Sequence, residues 1–411
     1  MSKEFLSKSE VKQDLQINHT EPKQIIVDNT EDIAALGYPG QRKIAEDKNG
    51  NFYVAYRKKY DGYYQIFVAK LSKAQDSEWI ISGTNKPIAF IESDQRVPSI
   101  AIDSKDFLHI VWYGSDFQNE SNNRQIKYSK STDGGNTWNE WKNISPVFGY
   151  SSDDYWQEHP NIFVGDDDKL YVVWEGKDSE NKNQQVKFIK SVDEGQSWGK
   201  WINIGISPNN SQSRPSILQD NKEMLHVLMY SSLGEPIQQV WRSYSNDGGN
   251  NWSVWQNVSN SSFDARHISA CVDRKGVLHV VWRSKTSNSD QTQIHYSYFE
   301  NGKWSKSIIV APSNTYQFFP SIATDKNNIP YIVWMESEKK YNFSKERPED
   351  GKIYFSYLVA EKFFKTKLVS SGDYNFYPNF SNWYKGIGNP PIIYSKGVQL
   401  LEIIFNQGIT E

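Results

Sequence analysis

The stretch RVPSIAIDSKDFLHIVW, residues 96–112, decides the fold of this chain because it returns four more times without a gap. The other copies are EHPNIFVGDDDKLYVVW (158–174), SRPSILQDNKEMLHVLM (213–229), RHISACVDRKGVLHVVW (266–282) and FFPSIATDKNNIPYIVW (318–334). A sixth, GQRKIAEDKNGNFYVAY, ends at Tyr56, and a weaker seventh runs between Tyr377 and Tyr394. The mean spacing is about 56 residues, the scale at which each repeat supplies one supersecondary unit to a larger array. Within each copy apolar and polar residues alternate on both sides of a turn such as DKNGN or DRKG, which reads as a β-hairpin. A third run follows (RQIKYSKS, QQVKFIKS, QQVWRSYS, TQIHYSYF, GKIYFSYL), then a fourth that opens on a Trp (TWNEWKNIS, SWGKWINIG, NWSVWQNVS, KWSKSIIVA). Four short antiparallel strands per unit describe a propeller blade.

The last unit ends after its third strand, whereas residues 24–30, QIIVDNT, stand as a strand ahead of the first unit. The expectation is an all-β, seven-bladed β-propeller of four-stranded antiparallel blades, in which the N-terminal strand completes the last blade and removes a free sheet edge. A length of 411 residues would by itself suggest two or three domains of about 150 residues. The repeats predict instead one domain over 24–411, preceded by a mobile tail at 1–23.

Composition narrows the function classes. Lys plus Arg (46) against Asp plus Glu (49) leaves a net charge of −3, so no bulk positive field is present to hold a nucleic acid. Mean hydropathy is −0.71, yet aromatic residues reach 14%, enough large side chains to build thin stacked sheets. The single Cys271 excludes an internal disulfide and a cysteine-built zinc site. Neither a metal nor a cofactor is expected. The N-terminus carries no apolar run of the secretory type, and nowhere do about 18 apolar residues follow one another, so membrane insertion is not expected. Cytoplasmic residence is the default expectation; a virion, a spore surface or non-standard export stays open.

Columns that repeat are structural, and columns that differ are candidates for function. His109, His226 and His279 share a column with Tyr53, Tyr171 and Tyr331, which calls for an aromatic body with a polar tip. Asp47, Asp103, Asp220, Asp273 and Asp325 recur before the hairpin turn and read as turn formers. Two columns diverge. The first strand opens with Arg96, Glu158, Ser213, Arg266, Phe318 or Phe376, followed by Val97, His159, Arg214, His267, Phe319 or Tyr377; in the first unit the pair is Gly40 and Gln41. After the second strand come Arg57, Tyr113, Glu175, Tyr230, Arg283, Met335 and Ser395. Antiparallel pairing sets the start of one strand beside the end of the next, so both columns face one end of the central channel. Arg57, Arg96, Arg214, Arg266, Arg283, Glu158, His159 and His267 are therefore the expected ligand-binding residues.

Between third and fourth strands stand STDGGNTW (131–138), SVDEGQSW (191–198) and SNDGGNNW (245–252), which resemble the Asp box, SxDxGxTW, of sialidases and related propellers. Asp133, Asp193 and Asp247 would bond their own turns, while Trp138, Trp198 and Trp252 would fill the gap between sheets. Arg96-Val97-Pro98 is similar to the sialidase motif that supplies an arginine from an inner strand, and Arg283 in GVLHVVWRS resembles the second sialidase arginine. The resemblance implies an arginine cluster for a sugar carboxylate, with Arg266, Arg57 or Arg214 as third member, because a planar guanidinium makes paired charge-assisted bonds. It also implies Tyr113 or Tyr230 with Glu175 as a catalytic nucleophile pair, and an acid/base carboxylate that no motif assigns, although Asp116 and Asp153 lie in mouth-side loops. Sialidases have six blades and this chain reads as seven. Three functions follow as expectations: binding of a glycan or small acidic ligand at the mouth, sialidase-like glycoside hydrolysis, or a protein-interaction or surface scaffold using the N-terminal tail or the 335–352 loop.

Overall fold

In the computed structural model the described residues are 24–407, apart from 39, 75–77, 117–122, 147–154, 288–289, 342–348, 360–361, 371 and 382–383. The 1–23 tail, Asp153 and the centre of the 335–352 loop fall outside them. Seven antiparallel sheets succeed one another along the chain. Their innermost strands are Ile44–Glu46, Gln95–Ile102, Gln157–Val164, Ser213–Gln219, Ala265–Val272, Tyr316–Thr324 and Asn375–Phe380. Six sheets have four strands; the fifth adds a short one, Ile308–Ile309, paired to Thr292–Glu300. Gln24–Thr30 pairs antiparallel with Leu401–Asn406, from Gln24 opposite Asn406 to Thr30 opposite Leu401, and so completes the seventh blade. The architecture is the expected seven-bladed propeller. Among the described residues no helix is long and apolar enough to cross a membrane.

Alternation puts one large aromatic of the second strand between sheets in six blades, and Met229 in the fourth. Trp112, Trp174, Trp282 and Trp334 are all buried, with Tyr56 and Tyr394 in the same column. Truncating any of these Trp residues to Ala would cost about 3–5 kcal/mol. The indole Nε1 of Trp174 donates to Gln157 Oε1 at 2.6 Å, and a Cβ on Gly176 would fall 2.1 Å from that oxygen, so glycine is required there. The turn carboxylates behave as turn formers. Asp103 Oδ1, for example, accepts the Lys105 and Phe107 amides at 2.9 Å, while His109 Nε2 lies 3.0 Å from Asp103 Oδ2 and Nδ1 2.9 Å from Tyr128 Oη. In the three SxDxGxxW turns the carboxylate bonds its own loop; Asp133 accepts from Ser131 Oγ at 2.9 Å and from Thr137 Oγ1 at 2.6 Å.

The ring axis is filled. Arg42, buried in the segment that leads into blade one, donates from Nη1 to Ser321 Oγ of blade six at 3.2 Å and from Nη2 to the Ala270 carbonyl of blade five. Lys43 Nζ donates to the Pro98 carbonyl of blade two at 2.5 Å, and Asn161 of blade three donates to the Gly40 carbonyl at 3.0 Å. With Arg42 Nη1 also donating to the Phe380 carbonyl of blade seven at 3.5 Å, residues 40–43 tie five other blades through the centre, and the inner strand of blade one shortens to Ile44–Glu46. What the sequence presents as a channel is at this level a plugged one, with a cup at the mouth.

Candidate functional site

A repeated defect in the inner strands builds the cup. Pairing with the second strand shifts register at Arg96/Ser99, Glu158/Asn161, Ser213/Ser216, Arg266/Ser269, Phe318/Ser321 and Phe376/Asn379. At each bulge the second residue is left-handed: Val97, His159, Arg214, His267, Phe319 and Tyr377 have φ between 47° and 54°. A non-glycine residue held there costs on the order of 1–3 kcal/mol, and strain of this kind concentrates where a side chain must be aimed. Here four of those side chains meet. His267 stacks on Phe319 with centroids 5.4 Å apart, Phe319 touches Tyr377 at 4.5 Å, and Tyr38 lies 5.8 Å from both His159 and His267.

The two divergent columns stand side by side, as antiparallel pairing requires: Glu158 opposite Glu175, Arg266 opposite Arg283, Arg96 opposite Tyr113 and Ser213 opposite Tyr230. Two of these pairs set like charges against each other, which destabilises a sheet unless counter-charges arrive from elsewhere. For the glutamates they do. Glu175 Oε1 accepts from Arg214 Nη1 at 2.7 Å and lies 2.9 Å from His159 Nδ1, while Oε2 accepts the Arg214 amide. Glu158 is paired to Arg124. For the arginines compensation is thin. Arg266 Nη2 meets Asp264 Oδ2 at 3.0 Å, but its Nε is buried without a hydrogen-bond partner among the described residues, as is Nε of Arg214. Arg283 has no ion-pair partner among the described residues and lies 5.4 Å from the Phe318 ring.

Burial and these charges set the protonation states. Burial, reinforced by the Arg214 guanidinium, lowers His159 to about 4 against the opposing pull of Glu175, so the ring is neutral near pH 7. His267 is pushed well below its usual range by burial and by Arg283, Arg214 and Arg266. Burial raises Glu175, but Arg214 and His159 outweigh it and hold the carboxyl below its ordinary value. Burial raises Glu158 despite Arg124. Tyr230 is pushed up to about 12, chiefly by burial, and Tyr113 rises for the same reason with Glu158 contributing. Burial and then Arg266 bring Arg283 down to about 10.

Tyr113, Glu158, His159, Glu175, Arg214, Tyr230 and His267 therefore form one contiguous cluster, linked by the His159–Tyr113 ring contact at 5.2 Å and the Tyr230–His267 contact at 6.3 Å. Arg266 and Arg283 flank it. Arg96, 3.6 Å from Asp94 and 45% exposed along its side chain, stands at the rim, near enough for its charge to act on Tyr113 and Glu158. Arg57 is locked to Asp32 by one guanidinium edge, Nε and Nη2 donating to the two carboxylate oxygens, and lies 4.6 Å from the Tyr64 ring. Two participants escape the repeat alignment. Tyr38, whose ring lies 4.3 Å beneath the Arg214 guanidinium, comes from the connection between the closing strand and blade one. Arg124 comes from just before the third strand of blade two. The only signal for Tyr38 was an aromatic in GYPGQ, a segment without strand alternation. Glu158, His159 and Glu175 bring ligand atoms within 4.8 Å of one another, the spacing of a metal site, but a cation there would have to displace Arg124 and Arg214 from the carboxylates.

No protein-family model matches the chain, and no curated protein matches it. Solved structures do. One is a polysaccharide lyase, an ulvan lyase bound to -[GlcA(1-4)Rha3S]-, 13% identical, with 94% of this chain and 96% of that one covered and a TM-score of 0.64. The polysaccharide lyase Uly1 is 12% identical, with 91% of each chain covered and a TM-score of 0.55. The intramolecular trans-sialidase from Ruminococcus gnavus, in complex with oseltamivir carboxylate, is 12% identical, with 78% of this chain and 96% of that one covered and a TM-score of 0.53. At such identities the likeness is one of fold: this chain shares its architecture with glycan-acting polysaccharide lyases and sialidases.

Proposed function

We propose that the cup binds an acidic glycan and cleaves it by β-elimination next to a sugar carboxylate. The observation that carries this reading is the Arg266–Arg283 pair, directly opposed like charges of which only Arg266 meets a carboxylate among the described residues; they flank His267, whose ring shares Tyr38 with the neutral His159. An incoming carboxylate would relieve that repulsion and satisfy the unpartnered N–H of Arg214 or Arg266. Neutralising a uronate carboxylate also acidifies the adjacent C5–H. Glu175 Oε1, 2.9 Å from His159 Nδ1, would hold a proton on that nitrogen, leaving Nε2 to take the one from C5. Tyr230 or Tyr113, both kept protonated, gives a proton to the departing glycosidic oxygen; the C4–O bond breaks and a C4=C5 double bond forms, with no water consumed. The similar lyase with a glucuronate-containing ligand and the similar trans-sialidase with a carboxylate inhibitor support an acidic sugar as ligand. The three SxDxGxxW turns support a kinship with the Asp-box propellers.

Hydrolysis through a Tyr113 or Tyr230 nucleophile is disfavoured on this reading, because it needs Glu175 free to activate a phenol, and Arg214 and His159 occupy Glu175. The test is a panel of uronate-containing polysaccharides and fluorogenic sialosides. New ultraviolet absorbance from unsaturated uronate, lost in His159→Ala, is the expected result. Reducing ends or released fluorophore without that absorbance would assign hydrolysis. Saturable binding with neither would reduce the cup to a recognition site.

A further inference from the structure

In blades three and four the SxDxGxxW turn seals the gap to the preceding blade. Trp198 meets Tyr128 edge-on at 4.9 Å and Trp252 meets Phe188 at 5.1 Å, so closely that a Cβ on Gly249 would fall 2.3 Å from the Phe188 ring. Blade five lacks that turn and has the short connection Glu300-Asn301-Gly302-Lys303 in its place. The gap between blades four and five stays open as a cavity of about 440 Å³, bordered by Met224, Arg242, Tyr244, Gln256, Phe299 and Asn301. It lies at the hairpin-turn end of the blades, away from the cup.

Arg242 occupies the strand position that holds Tyr128 in blade two and Tyr296 in blade five. There the tyrosine hydroxyl meets the column histidine, His109 at 2.9 Å and His279 at 2.8 Å. In blade four Arg242 Nε donates to His226 Nδ1 at 3.0 Å and Nη1 to Gln256 Oε1 at 2.9 Å, and the guanidinium lies 4.2 Å from the Phe299 ring and 4.7 Å from that of Tyr244. Among the described residues no carboxylate hydrogen-bonds to it; Asp220 acts on it at longer range and through His226, whose Nε2 is 3.2 Å from Asp220 Oδ2. Among the described residues the acceptor at Nη2 is the Met224 sulfur at 3.7 Å, a weak one. The residue is 1% exposed. A cation buried this way costs several kcal/mol unless an anion compensates it. Lys222 and Lys275 at the exposed rim add positive charge, against Glu300.

We propose that this cleft is a second saccharide site, in which Arg242 Nη2 receives the oxyanion of an acidic sugar where the neighbouring blades seat their own turn. A carboxylate and a sulfate ester offer the guanidinium the same paired oxygens. The site is independent of the chemistry in the cup. It would give the propeller two grips on a polyanionic chain, one at each end of the ring.

Calorimetric titration of the full chain with glucuronate, and separately with a sulfated glucose, tests it against neutral glucose as control. Two binding events are expected with the preferred anion. Arg242→Tyr, which restores the Tyr–His pair of blades two and five, should abolish one, and Arg214→Ala the other. Lys222→Glu should weaken the Arg242-dependent event about fivefold. Unchanged stoichiometry and affinity in Arg242→Tyr would overturn the proposal, as would loss of all binding in Arg214→Ala. Should Arg242→Tyr fail to fold, the Lys222→Glu/Lys275→Glu protein reads the same cleft from its rim, and unaltered affinity there counts equally against it.

Discussion

His159 carries the sharpest consequences at the scale of single residues. Its imidazole titrates at 6.5 in the unfolded chain and about 4 in the fold, so between those values the unfolded state binds more protons. Stability is therefore full above pH 6.5 and declines as pH falls towards 4, by roughly 3 kcal/mol for this group. His295, also brought to about 4 by burial, acts in the same direction. Thermal melts across this range should show the decline, with a shallower slope in His159→Gln. If His159 is the base, the acid limb of kcat/KM should lie near pH 4, because that limb reports the free enzyme; an inflection at 6.5 would mean a histidine in ordinary surroundings. The sequence placed His159 at the mouth from the disagreement of one column. It could not reveal that burial, reinforced by Arg214 against Glu175, would set the protonation state, because that depends on contacts between blades three and four.

At the scale of elements, the closing strand and the SxDxGxxW turns make different demands. Val27 is the buried residue at the centre of Gln24–Thr30. Val27→Asp should cost about 3 kcal/mol by burying an unpaired carboxylate, and light scattering should report association through the exposed edge of Leu401–Asn406. Asp193 is a local device: bonds from Ser197 and Ser191 hold its carboxyl down at about 2. Its contribution is present above the usual carboxylate range and is lost as pH falls towards 2. Asp193→Ala should lower stability by only about 1 kcal/mol in a denaturant titration, since the loop is solvent-exposed and water replaces part of what is removed. Both elements were legible in the sequence because each depends on short-range pattern, alternation in one case and a turn signature in the other.

The whole ring depends on its axis. Arg42 bonds to blades five and six, and burial lowers its guanidinium to about 10 without making it neutral at pH 7. Arg42→Leu should cost about 3 kcal/mol by leaving buried carbonyls unpaired. Because the plug links non-adjacent blades, urea unfolding of this variant should also broaden, a lower m-value signalling that the blades no longer unfold together. No feature of GQRKIAEDKNG marks Arg42 as a tie across the ring.

The amino-acid sequence alone determined the number of blades, their strand order, the closing strand and the turn carboxylates, because each follows from periodicity within a single repeat or from one unit lacking its final strand. Only the tertiary structure decided that the channel is filled, that Tyr38 lies under Arg214, that Arg283 has no ion-pair partner among the described residues while Glu175 meets both Arg214 and the neutral His159, and that a cleft opens beside Arg242. Those facts arise where a closed ring brings residues far apart in sequence into contact, and no spacing within a repeat encodes which side chains will meet across it.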